Sequence, residues 1–267
     1  MILFPNAKIN IGLNILNRRP DGYHNLQTIF YPVAIKDVLE VVESAQLQFS
    51  SSGIRIPGNA EENLCLKVYH LLSQDFNLNP VHIHLHKNIP IGAGLGGGSA
   101  DAAFLIRLIN QKFSLGISNE GMENYARQLG ADCAFFIQNK PVVAYEKGDQ
   151  FLPVNLDLGK YFMVVVMPEI HVSTADAYSG VVQNNFSVPL EELIHLPLTE
   201  WKNHIRNDFE KSVFSKFPDI KKVKDHLYER GAIYSSMSGS GASVYGIFEK
   251  ELKLPELERN NLVFYGV

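Results

Sequence analysis

Residues 90–104 read PIGAGLGGGSADAAF, with five glycines in the seven positions 92–98. No ordinary connection needs so many, because glycine loses more backbone freedom on folding than any other residue. Ala102, Leu105, Ile106, Ile109 and Phe113 then recur at helical spacing, and Ser99 is a suitable N-cap. A helix with one buried face is therefore expected to begin where the glycines stop. Glycine allows positive φ and lets a ligand reach the main chain with no Cβ in the way. Free N–H groups at a helix N-terminus, with the helix dipole behind them, receive phosphate. The run is expected to be a phosphate-binding loop rather than a flexible turn.

Several phosphate loops are excluded by what surrounds it. A Walker A loop needs Lys and then Ser or Thr after the last glycine, and here Ser99 and Ala100 follow. Gly92, Gly94 and Gly97 fit G-x-G-x-x-G, but a dinucleotide fold also needs the loop to leave its strand directly and an acidic residue about 20 positions on. Asn88, Ile89 and Pro90 intervene, and the downstream stretch NQKFSLG holds no carboxylate. Protein-kinase signatures such as H-R-D and D-F-G are absent.

A chain of 267 residues can bury a sizeable core, as two moderate domains more readily than one long one. Its 46% apolar and 19% charged residues are those of a soluble globular protein. A net charge of -4 argues against nucleic acid or an anionic membrane as the partner, so an anionic ligand must be held by local groups. No signal peptide or membrane span is read in the chain. Cys65 and Cys133 each lie in apolar surroundings and are expected to be buried thiols, which points to the cytoplasm.

Along the chain, residues 2–16 read as a strand with Lys8, Asn10, Gly12 and Asn14 on one face and Ile9, Ile11, Leu13 and Ile15 on the other. By spacing alone Lys8 is a solvated strand lysine. Pro20, Asp21 and Gly22 form a turn, with Tyr23 and His24 beside it, which in isolation is a hairpin carrying an aromatic pair. Further strands are expected at 37–42 and 46–49, a turn at 50–53, a helix introduced by 59–63, and a strand at 81–86. His82, His84 and His86 share one face of that strand. A metal set is one reading, and an exposed strand face is the simpler one. Residues 119–129 read as a helix closed by Gly130. Asp132 follows where the chain turns inward, either satisfied by local N–H groups or functional. A β-branched strand at 161–167, a helix around Tyr178, helices from 207 and 218, and a strand, small-residue turn and strand over 235–248 complete the chain.

The glycine run resembles the phosphate-binding motif of the galactokinase, homoserine kinase, mevalonate kinase and phosphomevalonate kinase (GHMP) superfamily. Pro90, Gly94, Leu95 and Ser99 match its P-x-x-x-G-L, small residues and Ser. Most branches carry serines where this chain has Gly97 and Gly98. The triple glycine, together with AKINIGL and RPDGYHNLQT over residues 7–28, resembles the branch that phosphorylates a cytidine-diphosphate-linked methylerythritol. LGADCAFF at 129–136 is similar to the family's L-G-A-D-V-P-F-F, with Cys133 and Ala134 departing from it, and SGSGAS at 238–243 is similar to its third motif, with Ser238 in place of the commoner Thr.

The resemblance implies an α+β, two-domain GHMP kinase fold: a ribosomal protein S5 domain 2-like N-terminal domain (1–157), a ferredoxin-like C-terminal domain (158–267), and substrates in the cleft between. It implies that Pro90, Ile91, Gly92, Ala93, Gly94, Leu95, Gly96, Gly97, Gly98, Ser99 and Ala100 hold the ATP phosphates, with Mg2+ and no assigned metal ligand. It implies that Asp132 takes the proton of the attacking hydroxyl and that Lys8 stabilises the developing charge. Asn10 is expected to fix the methylerythritol, His24 to bond the cytosine edge, and Tyr23 and Tyr178 to stack on the ring, although an ordinary packed Tyr178 is an equal reading. Adenine is expected near Asn63 and Lys87. The partner is a small molecule rather than nucleic acid or membrane. Another small-alcohol kinase of the superfamily, or a catalytically silent nucleotide binder, are the rival readings.

Overall fold

The computed structural model describes residues 1–20, 22, 24–181 and 188–267. They form two compact units that are interleaved along the chain. One comprises Met1–Ala7, Ile35–Ile91 and Gly96–Lys140; the other comprises Lys8–Ala34, Gly92–Leu95 and Pro141–Val267.

The first unit is built on a four-stranded sheet in the order Ile2–Leu3, Val38–Glu43, Val81–Lys87, Gln48–Gly53. Alternation sets its faces: Val81, Ile83 and Leu85 are buried while the histidines between them point the other way. The strand Gln48–Gly53 continues through the expected turn at 50–53, because parallel pairing with Val81–Lys87 carries it to Gly53. That pairing also explains the three histidines. Ser50 Oγ lies 2.7 Å from His82 Nε2 and 2.8 Å from His84 Nδ1, and Ser52 Oγ lies 3.0 Å from His84 Nε2 and 2.9 Å from His86 Nδ1. Among the described residues no group of three metal-ligating side chains converges.

Helices Leu64–Ser73, Gly97–Lys112 and Asn119–Arg127 complete this unit, the first and third capped by Asn63 and Ser118 side chains. The expected helix after the glycines starts three residues early. Its cap is Gly96 at φ 69°, with no side-chain cap, and Ser99 lies inside the first turn. Nor is only one face buried. Residues 100–106, 108 and 109 are all buried, since the helix is packed by its two neighbours as well as by the sheet.

The second unit holds two sheets. One takes the order Asn6–Arg18 (from Lys8 onward in this unit), His24–Lys36, Val142–Tyr145, Gln150–Pro153. The other is antiparallel throughout, in the order Tyr234–Met237, Val244–Phe248, Phe162–Pro168, Asn261–Tyr265. Its strand, helices, strand, strand, helix, strand succession is the ferredoxin-like arrangement. Helices Glu210–Lys216 and Pro218–Glu229 bring Val213, Ile220 and Leu227 onto Val164, Val166 and Val244. No helix among the described residues is long and apolar enough to cross a membrane.

Candidate active site

Gly92, Gly94 and Gly96 take φ of 68°, 76° and 69°, so every second residue of the glycine run is left-handed. The carbonyls of four successive residues are held by donors from the protein. Ala93 O accepts from Ser243 N at 3.2 Å, Gly94 O from Ser238 Oγ at 2.8 Å, Leu95 O from Lys8 N at 3.0 Å, and Gly96 O from Ala100 N at 2.9 Å. With the carbonyls engaged, and with the first helical N–H groups lacking intrahelical partners, the amides of 97–99 are the groups left to receive an anion. Of the remaining loop residues, Pro90 and Ala100 are buried and Ile91 and Gly98 exposed.

Glycine at 94 is required twice over. Its φ is positive, and a Cβ there would lie 2.1 Å from Ser238 O and 3.2 Å from Gly241 O. The small-residue turn at 238–243 is therefore main chain packed on main chain against the glycine run. That turn is held by the element at 207–210. Asn207 Nδ2 donates to Met237 O at 2.9 Å and to Gly239 O at 2.8 Å, Glu210 Oε1 accepts from Met237 N at 2.9 Å, and Asp208 Oδ2 accepts from Ile15 N at 2.8 Å.

Lys8 is buried rather than solvated. Its ammonium donates to Asn10 Oδ1 at 2.6 Å and to Gly94 O at 3.3 Å, and lies 4.7 Å from the centre of the Phe30 ring. Asn10 is buried as well, and its Nδ2 donates to Thr28 Oγ1 at 3.0 Å. Its Oδ1 thus positions the lysine, and one amide hydrogen remains for other use. Asp132 lies in the turn between helix Asn119–Arg127 and the short helix Phe135–Gln138, half-buried. The next residue, Cys133, is hydrogen-bonded to Ser99 in the first turn of the glycine-run helix, and burial first, with the Asp132 charge adding, pushes its thiol up to about 11. Asp132 is thereby tethered one residue from that turn.

His24 and Tyr178 are brought together: their rings stack with centroids 5.1 Å apart and planes 23° apart. The other contact of Tyr178 is an edge-on one with Phe209 at 4.7 Å, and burial raises its phenol. Tyr23 lies outside the described residues. Asn63 Oδ1 caps the next helix by accepting from Cys65 N at 2.9 Å, and the Lys87 ammonium is held by Asp37 and Asp101. Both cysteines are free, buried thiols.

Residues 63–140 match the family of GHMP kinases N terminal domains, and residues 190–261 match that of GHMP kinases C terminal domains. The chain belongs to the GHMP kinase family. Among GHMP kinases it is 52% identical over 262 residues to the 4-diphosphocytidyl-2-C-methyl-D-erythritol kinase of Bacteroides fragilis, covering 97% of this chain and 96% of that one. It is 52% identical over 249 residues to the protein of the same name from Cytophaga hutchinsonii, covering 93% and 92%. A solved structure of 4-(cytidine 5'-diphospho)-2C-methyl-D-erythritol kinase superposes with a TM-score of 0.86 at 29% identity over 100% of this chain and 98% of that one. A homoserine kinase from Cytophaga hutchinsonii superposes with a TM-score of 0.68 at 15% identity, which is a likeness of fold.

Within this GHMP kinase, sequence reading missed Thr28, Asn207 and the cluster of Lys87 with Asp37 and Asp101. Thr28 closes the stretch RPDGYHNLQT and Asn207 opens NDFE, but neither residue type by itself indicates a role. Asp101 did carry a signal: a carboxylate followed directly by Ala, Ala, Phe, Leu and Ile on a helix is one expected to be buried and partnered.

Proposed function

We propose that this GHMP kinase transfers the γ-phosphoryl group of ATP to the 2-hydroxyl of 4-diphosphocytidyl-2-C-methyl-D-erythritol, a step of non-mevalonate isoprenoid synthesis. The observation that carries the reading is the glycine run, whose carbonyls are tied back by Lys8, Ser238 and Ser243 so that its amides are presented to a phosphate. The names of the relatives at 50–52% identity support the acceptor.

Phosphoryl transfer asks a protein for an oriented hydroxyl, an in-line phosphate and groups that absorb spreading charge. The amides after the glycines hold the phosphates. Asp132 accepts the proton of the substrate hydroxyl as its oxygen bonds to phosphorus and the bond to ADP breaks. Lys8, held ready by Asn10, stabilises the alkoxide and the transferred group. His24 bonds the cytosine edge and Tyr178 stacks on the ring, while Asn10 contributes its free amide hydrogen to the sugar alcohol. In this reading residues 1–157 carry the donor loop and 158–267 complete the acceptor side.

Mg2+ needs only one or two protein oxygens beside substrate phosphates and water. Bound with the ATP phosphates, the ion would supply charge neutralisation there, with phosphate and water oxygens as its main ligands. The deciding assay follows ADP release with the cytidyl substrate, mevalonate and homoserine in parallel. Turnover with the first alone is expected; turnover with another alcohol and none with the cytidyl compound refutes the acceptor, and no turnover with any refutes the kinase reading.

A further inference from the structure

Under the helix that follows the glycines lies an ionic cluster that the chemistry above does not use. Lys87, the last residue of its strand, is buried, and so are Asp37 and Asp101. The Lys87 ammonium donates to Asp37 Oδ2 and, at 2.7 Å, to Asp101 Oδ2. Asp37 Oδ1 accepts from Asn88 N at 2.6 Å and from Ile89 N at 2.8 Å, the two residues that lead into the glycine run. Asp101 lies in the second turn of the helix that leaves the run. The ammonium is directly beneath that helix's first turn: a Cβ on Gly97 would be 3.0 Å from Lys87 Nζ and 2.8 Å from Ile89 Cγ2. A side chain at 97 would therefore press on both groups.

Charge decides how such a cluster survives burial. Two ionised carboxylates around one ammonium would leave a net negative charge in the interior, at the end of a helix meant to receive phosphates. Asp101 Oδ1 is buried without a partner. Burial foremost, with the Asp37 carboxylate adding and Lys87 opposing, pushes the Asp101 carboxyl up to about 8. Burial would lower the Lys87 ammonium, but Asp101 and Asp37 outweigh it and raise it. The other titratable group against Asp101 is the Cys65 thiol, from helix Leu64–Ser73, which burial and then Asp101 keep well up and neutral. Raising the Asp101 carboxyl toward its protonated form relieves the cluster of negative charge that would otherwise be buried beneath the amides of the helix.

We propose that Lys87, clasped by Asp37 and Asp101, is a positioning residue for the nucleotide: the clasp joins the strand entering the glycine run to the helix leaving it and keeps a cation beneath the amides that receive the phosphates. The proposal rests on the reading that this run holds ATP. A purely structural ion pair would change melting temperature and leave the nucleotide's own affinity alone; a positioning clasp changes ATP affinity and gives it a pH dependence that runs through Asp101.

The test titrates N-methylanthraniloyl-ATP into the folded wild type, Lys87→Met and Asp101→Asn at pH 7 and pH 9, and measures KM for both substrates. Lys87→Met is expected to weaken nucleotide binding about tenfold, the loss of one charge-assisted bond, and to raise KM for ATP more than KM for the alcohol. In the wild type, ionising Asp101 adds a negative charge beneath the helix, so affinity falls by about tenfold between the two pH values. Asp101→Asn cannot ionise, and its pH 9 to pH 7 ratio is expected to be much smaller. Should Lys87→Met fail to fold, the pH comparison decides by itself. Equal ratios in wild type and Asp101→Asn, or a folded Lys87→Met with wild-type ATP affinity, overturn the clasp. A wild type that binds no nucleotide overturns the reading of the glycine run and this proposal with it, so the two failures are distinct.

Discussion

Lys8 shows how much one residue's meaning depends on its surroundings. A cation on a strand costs nothing when solvated, whereas this one is buried and repaid by Asn10 Oδ1, Gly94 O and the face of Phe30. Lys8→Met fits the space without the charge, so it is expected to fold and to lower kcat by about a hundredfold or more. Asp132→Asn is expected to do the same by removing the proton acceptor, also by about a hundredfold or more; steady-state kinetics beside a melting curve checks both, and wild-type turnover in either ends its assigned role. Gly94 and Gly98 make a second contrast. Gly94→Ala forces a Cβ to 2.1 Å from Ser238 O at positive φ, and about 1–3 kcal/mol of stability is expected to go. At Gly98, in the helix, the nearest atom to a Cβ is 3.8 Å away, so Gly98→Ala is expected to keep or raise the melting temperature.

At the scale of elements, the turn at 238–243 is only as firm as the element that holds it. Asn207 satisfies two carbonyls of that turn with one amide nitrogen, in a buried place where water cannot substitute. Asn207→Ala removes both bonds, leaving Met237 O only the longer one from Ser236 Oγ, and is expected to cost about 1–3 kcal/mol by denaturant melting. Because the same turn braces Gly94 O, KM for ATP is expected to rise with it; unchanged nucleotide affinity would show the brace to be dispensable. The stacked pair of His24 and Tyr178 joins the second strand of the hairpin to helix Thr174–Tyr178. Tyr178→Leu keeps the packing against Phe209 but loses the aromatic face, so it is expected to raise KM for the cytidyl substrate and leave KM for ATP near its starting value.

For the whole molecule, the titration of one carboxyl sets a pH dependence of stability. An unfolded Asp101 titrates at about 3.9, whereas burial in the fold pushes it up to about 8. The folded chain thus binds a proton that the unfolded chain has released, and stability falls as pH rises between those values. The contribution is complete below the unfolded value and is lost by the time pH passes the folded one. Asp101→Asn has no such group, so the melting temperature of the wild type relative to this variant is expected to decline from pH 5 to pH 8. A constant difference would show that Asp101 is ionised in the fold.

Local rules were enough for much of this protein. The glycine run, the strand expected at 81–86, the helix after 118 and the strands at 161–167 and within 235–248 are legible because periodicity and turn chemistry act between near neighbours, whereas the ferredoxin-like arrangement was implied by the family resemblance. What those rules missed was decided by partners distant in sequence. The turn expected at 50–53 became a strand through pairing with 81–87, and the helix at 97 began ahead of Ser99 because Gly96 could take a left-handed cap. The burial of Lys8, the fixing of Ser238 against Gly94, and the gathering of Lys87, Asp37 and Asp101 have no local signature. A charge reads as solvated until the chain has folded around it, and only the tertiary structure says which groups then share its burial.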